Sequence, residues 1–178
     1  VVNEARAMVE AGFKEIMLLG QNVNSYGLDI EGELSFAQLL AKLDEVGIER
    51  IRFMTSHPKD ISDELIDVIA NSNHICHALH LPVQHGSTRV LESMNRRYSR
   101  EKYLSRVQAI RAKIPDMSLT TDLIVGYPGE TEEEFEETCS LVNEVGYDSA
   151  FTFIYSPRIG TRAADMPDQI PEKVSSDR

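Results

Sequence analysis

Cysteine is scarce in this sequence, and long apolar runs are missing. The 178 residues include only two cysteines, Cys76 and Cys139, too few for a disulfide framework and typical of a reducing cytoplasm. No apolar run approaches the roughly 18–20 residues that a membrane helix needs. No signal-peptide pattern opens the chain. The sequence therefore predicts a cytoplasmic protein that does not associate with membranes.

Positive charge is also in short supply. The chain has 18 basic and 29 acidic residues, which gives a formal net charge of −11. Affinity for nucleic acid comes largely from Lys and Arg side chains that neutralise phosphates. If the substrate is a nucleic acid, we expect much of the attraction to come from outside this chain.

Two periodicities alternate along the chain. Helical spacing of apolar residues occurs at 5–9, 36–43, 65–69, 103–110 and 135–142, and short apolar runs of strand length occur at 16–19, 51–54, 78–81, 119–125 and 150–155. Ser35 precedes Gln38 by three residues, and Thr131 precedes Glu134 likewise, which is the spacing of a capping box. Repeated helix–strand alternation predicts an α/β fold with mostly parallel strands, a partial TIM-like (β/α) barrel. Because the sequence opens on a helical stretch, we expect the first barrel strand to be missing.

Polar and glycine-rich segments follow each predicted strand. They lie at 20–27, 55–58, 82–87, 126–131 and 155–161. In barrels of this type the loops after the strands form the active site, although Gly, Pro, Asn and Ser also simply make turns. Their clustering after all five strands favours a binding site.

The residue types in these loops restrict the chemistry. They are rich in amides and hydroxyls but carry few groups for acid–base catalysis. No lysine ends a strand, which disfavours a Schiff-base aldolase, and the segment Gly126 to Thr131 lacks the lysine of a Walker loop. A site that holds a polar ligand but offers little catalysis of its own suggests that a cofactor does the chemistry.

Two clusters could suggest metal sites. His74, Cys76, His77 and His80 are close in sequence, but His77 and His80 would point to opposite faces of a strand and no Cys-x-x-Cys pair accompanies them. The acidic run from Glu130 to Glu137 is better interpreted as the solvent-facing first turns of a helix, where it complements the helix dipole. We therefore predict no metal ligand in this chain.

Six segments resemble one known family, the radical S-adenosylmethionine methylthiotransferases, in its tRNA isopentenyladenosine branch. They read LLGQNVNSY at 18–26, FMTSHP at 53–58, LPVQHGS at 81–87, MNRRY at 94–98, TTDLIVGYPGET at 120–131 and YSPRIGT at 155–161. The resemblance covers nearly the whole chain. It implies a radical S-adenosylmethionine core domain over residues 1–165 and a polar linker over 166–178.

The resemblance also implies roles for individual residues. Gly20, Gln21 and Asn22 match the place that holds the amino group of S-adenosylmethionine. Gln84 and Ser87 match positions near its ribose and methionine parts. Residues 122–126 match the strand beside adenine, and Arg158 faces either the substrate or the clusters. The full set of implied cofactor-binding residues is Gly20, Gln21, Asn22, Ser56, Gln84, Ser87, Asp122, Ile124, Gly126 and Arg158.

The sequence departs from the family pattern in two places. Asp122 replaces the first glycine of the usual Gly-x-Ile-x-Gly adenine strand. The Cys-x-x-x-Cys-x-x-Cys segment that holds the radical-generating 4Fe–4S cluster is absent, and such a cluster needs thiolate ligands. We therefore expect the iron–sulfur ligands to belong to the parent protein and this chain alone to be inactive.

For the parent enzyme, the resemblance implies that a methylthio group is added to isopentenyladenosine beside the tRNA anticodon. A deoxyadenosyl radical would activate the carbon, an auxiliary cluster would deliver sulfur, and a second S-adenosylmethionine would supply the methyl group. The alternatives are sister enzymes that modify threonylcarbamoyladenosine in tRNA or an aspartate of a ribosomal protein. A non-catalytic barrel used as a binding module and a phosphate-sugar barrel enzyme are alternatives of other classes.

Overall fold

The computed structural model describes residues 1–54 and 56–178 and confirms the α/β prediction. Its helices are α1 Val2–Glu10, α2 Phe36–Asp44, α3 Asp63–Asn71, α4 Thr88–Ser93, α5 Arg100–Lys113, α6 Glu132–Val145 and α7 Glu172–Asp177. Its strands are β1 Glu15–Leu18, β2 Arg50–Phe53, β3 Ala78–His80, β4 Ser118–Val125 and β5 Ser149–Ile154. Each predicted strand and helix is therefore present, within one or two residues at the strand ends.

Local sequence signals account for several of these boundaries. Ser35 and Thr131 each form the predicted capping box, in which the hydroxyl oxygen accepts from the N–H of the third helical residue. Gly146 ends α6 in the left-handed conformation, at φ 60°. The short helices α4 and α7 were not predicted, because six residues are too few to show a helical period.

The chain forms two compact units. The first contains residues 1–81 and 106–119, and the second contains residues 82–105 and 120–178. In the first unit β1 pairs with β2 in parallel, with Ile16 beside Ile51. The start of β4 lies beside β3, where the Ser118 N–H donates to the His77 carbonyl at 2.9 Å. Its apolar core includes Leu40, Leu43 and an edge-to-face contact between Phe36 and Phe53.

The second unit is built on the rest of β4, which pairs with β5 in parallel from Thr120 beside Ser149 to Val125 beside Ile154. Val90, Leu91 and Leu141 are completely buried in its core. By contrast, Phe151 and Phe153 of β5 are more than half exposed, at 56% and 53%. The carboxyl ends of β4 and β5 lead into the polar loops, as the sequence predicts.

Among the described residues, no helix is long and apolar enough to span a membrane.

Candidate functional site

In the first unit, the loops after β1 and β2 are joined by Asn24. Its side-chain Nδ2 donates to the His57 carbonyl at 3.0 Å, and its Oδ1 accepts from the His57 N–H at 2.8 Å. These two hydrogen bonds resemble those between paired β-strands, and they are almost completely buried because Asn24 is 4% exposed. The two loops are therefore held together by one amide.

The same two loops contain two buried polar atoms that have no partner in the part of the chain that the structure describes. Asn22 Nδ2 donates to Asp60 at 2.8 Å, but Asn22 Oδ1 is buried without a hydrogen bond among the described residues. Ser56 is 4% exposed, and its Oγ likewise lacks a partner within the described part of the chain. A buried polar atom without a partner costs free energy, so this edge of β1 and β2 suits a polar ligand that supplies the missing hydrogen bonds.

Gly20 and Gln21, the other two implied cofactor residues of this unit, are exposed at the end of β1. A Cβ added to Gly20 would approach nothing closer than 3.6 Å, and its φ does not require glycine. The described residues thus give no steric reason for glycine at this position.

In the second unit, Gln84 lies directly against β4. Its N–H donates to the Asp122 carbonyl at 2.9 Å, and its own carbonyl accepts from the Ile124 N–H at 2.8 Å. Gln84 has a φ of 73°, which is uncommon for a residue with a side chain and marks a functional or strained position. Three of the implied cofactor residues are therefore brought together by backbone hydrogen bonds.

The following residue, His85, forms a buried network that sequence reasoning missed. His85 Nδ1 accepts from the Ser87 N–H at 3.0 Å, so the ring proton is on Nε2, which donates to Glu130 Oε1 at 2.9 Å. Glu130 Oε2 accepts from the Gly126 N–H at 2.5 Å and from Arg178 at 2.7 Å. Burial raises the pKa of Glu130, but the hydrogen bonds from His85 and Gly126 and the charge of Arg178 outweigh it, and the pKa is lowered.

A second buried carboxylate, Glu134, holds the start of α4. It accepts from Ser87 Oγ at 3.1 Å and from two nitrogens of Arg89 at 2.5 Å each. Burial raises its pKa, but the hydrogen bonds from Arg89, the Thr131 N–H and Ser87 lower it to about 2. The interpretation of the acidic run as solvent-facing is thus wrong for Glu130 and Glu134, because basic partners far along the chain neutralise both.

Gly126, another implied cofactor residue, needs to be glycine. Its φ is 72°, and a Cβ there would lie 2.8 Å from the Cβ of Ser175 in α7. Its N–H is already bound to Glu130. The loop after β4 is therefore fixed from both sides, by Glu130 and by α7.

Beyond the ends of β4 and β5 lies an open cavity of about 810 Å³. Its lining comes from residues 92–96 at and after the end of α4, from Ile124 and Tyr127, and from residues 153–156, 158 and 161–163. Tyr127 and Tyr155 meet edge to face in its wall, with ring centres 5.4 Å apart. Tyr155 Oη is buried without a hydrogen bond among the described residues. Arg158 is an exposed residue of this wall.

The ten implied cofactor residues thus divide between the units. Gly20, Gln21, Asn22 and Ser56 belong to the first unit, and Gln84, Ser87, Asp122, Ile124, Gly126 and Arg158 belong to the second. Ser87 is buried, and its hydroxyl donates to Glu134 at 3.1 Å. The signal that could have revealed His85 was its place inside the LPVQHGS segment, directly after Gln84.

Neither the cysteines nor the histidines near Cys76 belong to a metal-binding group within the described residues. Cys76 is partly exposed in the first unit and Cys139 is exposed on α6 in the second. His77 contacts Asp116 at 2.9 Å. Over residues 1–54 and 56–178, no group of three His, Cys, Asp or Glu side chains is placed to hold a metal ion.

These features define a class of protein. The model of the radical SAM superfamily matches residues 1–142, and the chain belongs to that superfamily. Its fold is shared with coproporphyrinogen III oxidase from Escherichia coli, at a TM-score of 0.69 and 20% identity over 99% of this chain and 42% of that one. A radical S-adenosylmethionine methyltransferase from Kitasatospora setae shares the fold at a TM-score of 0.66 and 14% identity. That alignment covers 86% of this chain and 30% of the methyltransferase.

Sequence relatives are more specific. The chain is 56% identical, over its whole length, to the tRNA-2-methylthio-N(6)-dimethylallyladenosine synthases of Carboxydothermus hydrogenoformans, Thermoanaerobacter pseudethanolicus and Clostridium tetani. It covers 41%, 38% and 40% of these proteins. The chain therefore spans about two fifths of the length of the curated relatives it matches.

Proposed function

We propose that the full-length protein adds a methylthio group to isopentenyladenosine beside the anticodon of tRNA. The observation that carries this proposal is that the whole chain aligns, at 56% identity, with enzymes named for that product. Isopentenyladenosine and dimethylallyladenosine are the same nucleoside. The proposal makes tRNA the partner and places the enzyme in the cytoplasm, where tRNA is found and thiols stay reduced.

S-adenosylmethionine is the cofactor that the described residues fit. After β1 and β2, Asn22 Oδ1 and Ser56 Oγ are buried acceptors that have no partner among residues 1–54 and 56–178. The amino group of a methionine moiety offers the donors that they lack. In the second unit, Gln84, Asp122 and Ile124 present the backbone of β4, and Gly126 keeps the following loop close to it. We assign cofactor binding to these residues, with Gly20 and Gln21 as points of close approach.

The iron–sulfur cluster does not fit this chain. A 4Fe–4S cluster is held by three or four thiolates, and the sequence has two cysteines. We therefore assign the cluster ligands to other parts of the full-length protein and derive no step through the cluster. The chain alone is expected not to cleave S-adenosylmethionine, which assays of bound iron, sulfide and 5′-deoxyadenosine on the purified chain would test.

The residues of this chain do the holding rather than the chemistry. S-adenosylmethionine, when bound, supplies the reactive carbon centre and the methyl group. Asn24 fixes two loops with one amide, and Glu130 and Glu134 fix the loops after β3 and β4. Loops that are fixed in this way would keep water and stray hydrogen donors out of the cofactor site.

The proposal is tested by deleting the gene of the full-length protein and measuring tRNA nucleosides by mass spectrometry. We expect methylthiolated isopentenyladenosine to disappear, isopentenyladenosine to accumulate, and the full-length gene to restore the product. A matched copy with Gly126→Val should fail to restore it. Loss of a methylthiolated threonylcarbamoyladenosine, or of a methylthiolated aspartate in a ribosomal protein, would instead identify the sister reaction.

A further inference from the structure

We propose that the cavity beyond β4 and β5 binds a nucleotide of the RNA substrate, with phosphates on three arginines and a base on the exposed aromatic wall. The arginines are Arg96, three residues after α4, Arg158, and Arg162 in the short 3-10 turn Arg162–Asp165. This inference rests on the proposed function, because it names where that substrate is held. The cavity volume of about 810 Å³ lies in the range of ligand-binding pockets, which is roughly 300–1,000 Å³.

The charge of this cavity is opposite to that of the chain. The chain carries a net charge of −11, yet three guanidinium groups line the cavity against a single carboxylate, Glu92, among the described residues. Several other arginines form ion pairs, as Arg89 does with Glu134 and Arg178 does with Glu130. Arg96, Arg158 and Arg162 make no ion pair with a described carboxylate. Guanidinium groups that have no ion-pair partner among the described residues and that gather at one cavity fit an external polyanion.

The walls of the cavity suit a base. Phe153 is 53% exposed on β5, and Ile154 beside it is 50% exposed, so apolar surface is open to solvent where a ring could stack. Tyr155 adds a ring whose buried hydroxyl lacks a partner within the described residues, and it is held edge-on by Tyr127. Unpaired RNA bases are recognised by stacking on aromatic side chains and by hydrogen bonds to their edges.

Ile124 of the proposed cofactor site borders this cavity, but the three arginines of the cavity suit S-adenosylmethionine poorly. The cofactor carries a sulfonium and an ammonium group against one carboxylate, so its net charge is positive. Three arginines repel a cation and attract the phosphates that the cofactor lacks. The structure therefore assigns Arg158 to the RNA rather than to the cofactor.

The test uses the full-length enzyme and a synthetic anticodon stem-loop RNA that contains isopentenyladenosine. Binding is measured by fluorescence anisotropy over a series of salt concentrations. The triple variant Arg96→Gln, Arg158→Gln and Arg162→Gln is expected to bind more than about tenfold more weakly. Its slope of log K against log salt should be shallower by about 2, since each single-strand phosphate contact contributes about 0.7. Phe153→Ala should weaken binding about five- to hundredfold without changing the slope.

Arg6→Gln, which removes an exposed arginine of the first unit, is the control for loss of charge alone. It should leave affinity and slope within twofold of the wild type. The Michaelis constant for S-adenosylmethionine, measured from 5′-deoxyadenosine formation, should be unchanged in all variants. If the arginine variants instead raise the Michaelis constant for S-adenosylmethionine and leave the RNA affinity unchanged, the proposal is overturned and the cavity binds the cofactor.

The remaining outcomes separate the cavity from the function. Variants that bind RNA with wild-type affinity and slope overturn the cavity proposal and leave the proposed function intact. Wild-type enzyme that binds the RNA at the arginines but does not methylthiolate it supports the cavity and contradicts the function. Wild-type enzyme that does not bind the RNA overturns both.

Discussion

His85 and Glu130 form a hydrogen bond of 2.9 Å in which neither side chain is exposed to solvent. The bond joins residues 45 positions apart and ties the loop after β3 to the loop after β4. Both oxygens of Glu130 act only as acceptors, since His85, the Gly126 N–H and Arg178 all donate to them. The network therefore requires an ionised carboxylate at this position.

Glu130→Gln tests that requirement. The amide nitrogen would face a donor, either His85 Nε2–H or the Gly126 N–H, and Arg178 would lose a buried anion. Breaking a buried charged pair in this way typically costs about 3 kcal/mol or more. Urea unfolding of the chain should show such a loss of unfolding free energy.

Glu132→Gln is the matched control for Glu130→Gln. It removes the other carboxylate that contacts Arg178, at 2.9 Å, but Glu132 is 64% exposed at its side chain. An exposed pair of this kind contributes roughly 1 kcal/mol or less. Equal losses in the two variants would show that the buried network adds nothing beyond the surface pair.

Glu134 gives the chain an acid-sensitive step. Its pKa falls from 4.5 to about 2 on folding, so the unfolded chain takes up this proton first as the pH is lowered. Stability from Glu134 is therefore fully present above about pH 4.5 and is lost as the pH falls toward 2. The pKa of Glu130 is lowered as well and acts in the same direction.

Unfolding free energy measured from pH 6 to pH 2 checks this. Glu134→Gln should be less stable at pH 6, but its unfolding free energy should fall less steeply below pH 4.5. The difference in slope should correspond to the uptake of up to about one proton fewer on unfolding. Glu136→Gln, an exposed position on the same helix, should follow the wild-type curve. Parallel curves for wild type and Glu134→Gln would contradict the role of Glu134.

The parts of the fold that local sequence determines were predictable. The capping boxes at Ser35 and Thr131 span three residues, and the strands carry their own apolar runs, so no knowledge of distant partners was needed. The parallel arrangement followed from the alternation of helices and strands.

The buried carboxylates could not be predicted in this way. Glu130 and Glu134 lie in a run that reads as solvent-facing, and what buries them are His85, Arg89 and Arg178, between 45 and 48 positions away. The positive φ of Gln84 was equally hidden, because nothing in its identity marks it as a position that favours glycine. Contacts of this range arise only from tertiary packing.

Gly86 is expected to tolerate no side chain. A Cβ there would lie 2.5 Å from the backbone nitrogen of Thr138 and 2.6 Å from the Glu137 carbonyl oxygen, both of which belong to α6 and cannot rotate away. Overpacking against backbone costs about 1–3 kcal/mol or more. Thermal unfolding of Gly86→Ala should show that loss, whereas Gly20→Ala, with 3.6 Å of room, should unfold as the wild type does.

Ser56→Ala separates a ligand-binding hydroxyl from a structural one. Ser56 Oγ is buried without a partner in the described chain, so its removal costs no internal hydrogen bond and should leave the unfolding free energy unchanged or slightly raised. Ser62→Ala is the comparison, because Ser62 Oγ accepts from the Leu65 N–H at the start of α3, and losing that cap costs about 1 kcal/mol.

In the full-length enzyme, isothermal titration should show the reverse order. S-adenosylmethionine should bind Ser56→Ala about tenfold more weakly, the worth of one hydrogen bond, and should bind Ser62→Ala normally. If Ser56→Ala is instead destabilised as much as Ser62→Ala and binds the cofactor normally, the Ser56 hydroxyl stabilises the fold and does not bind the cofactor.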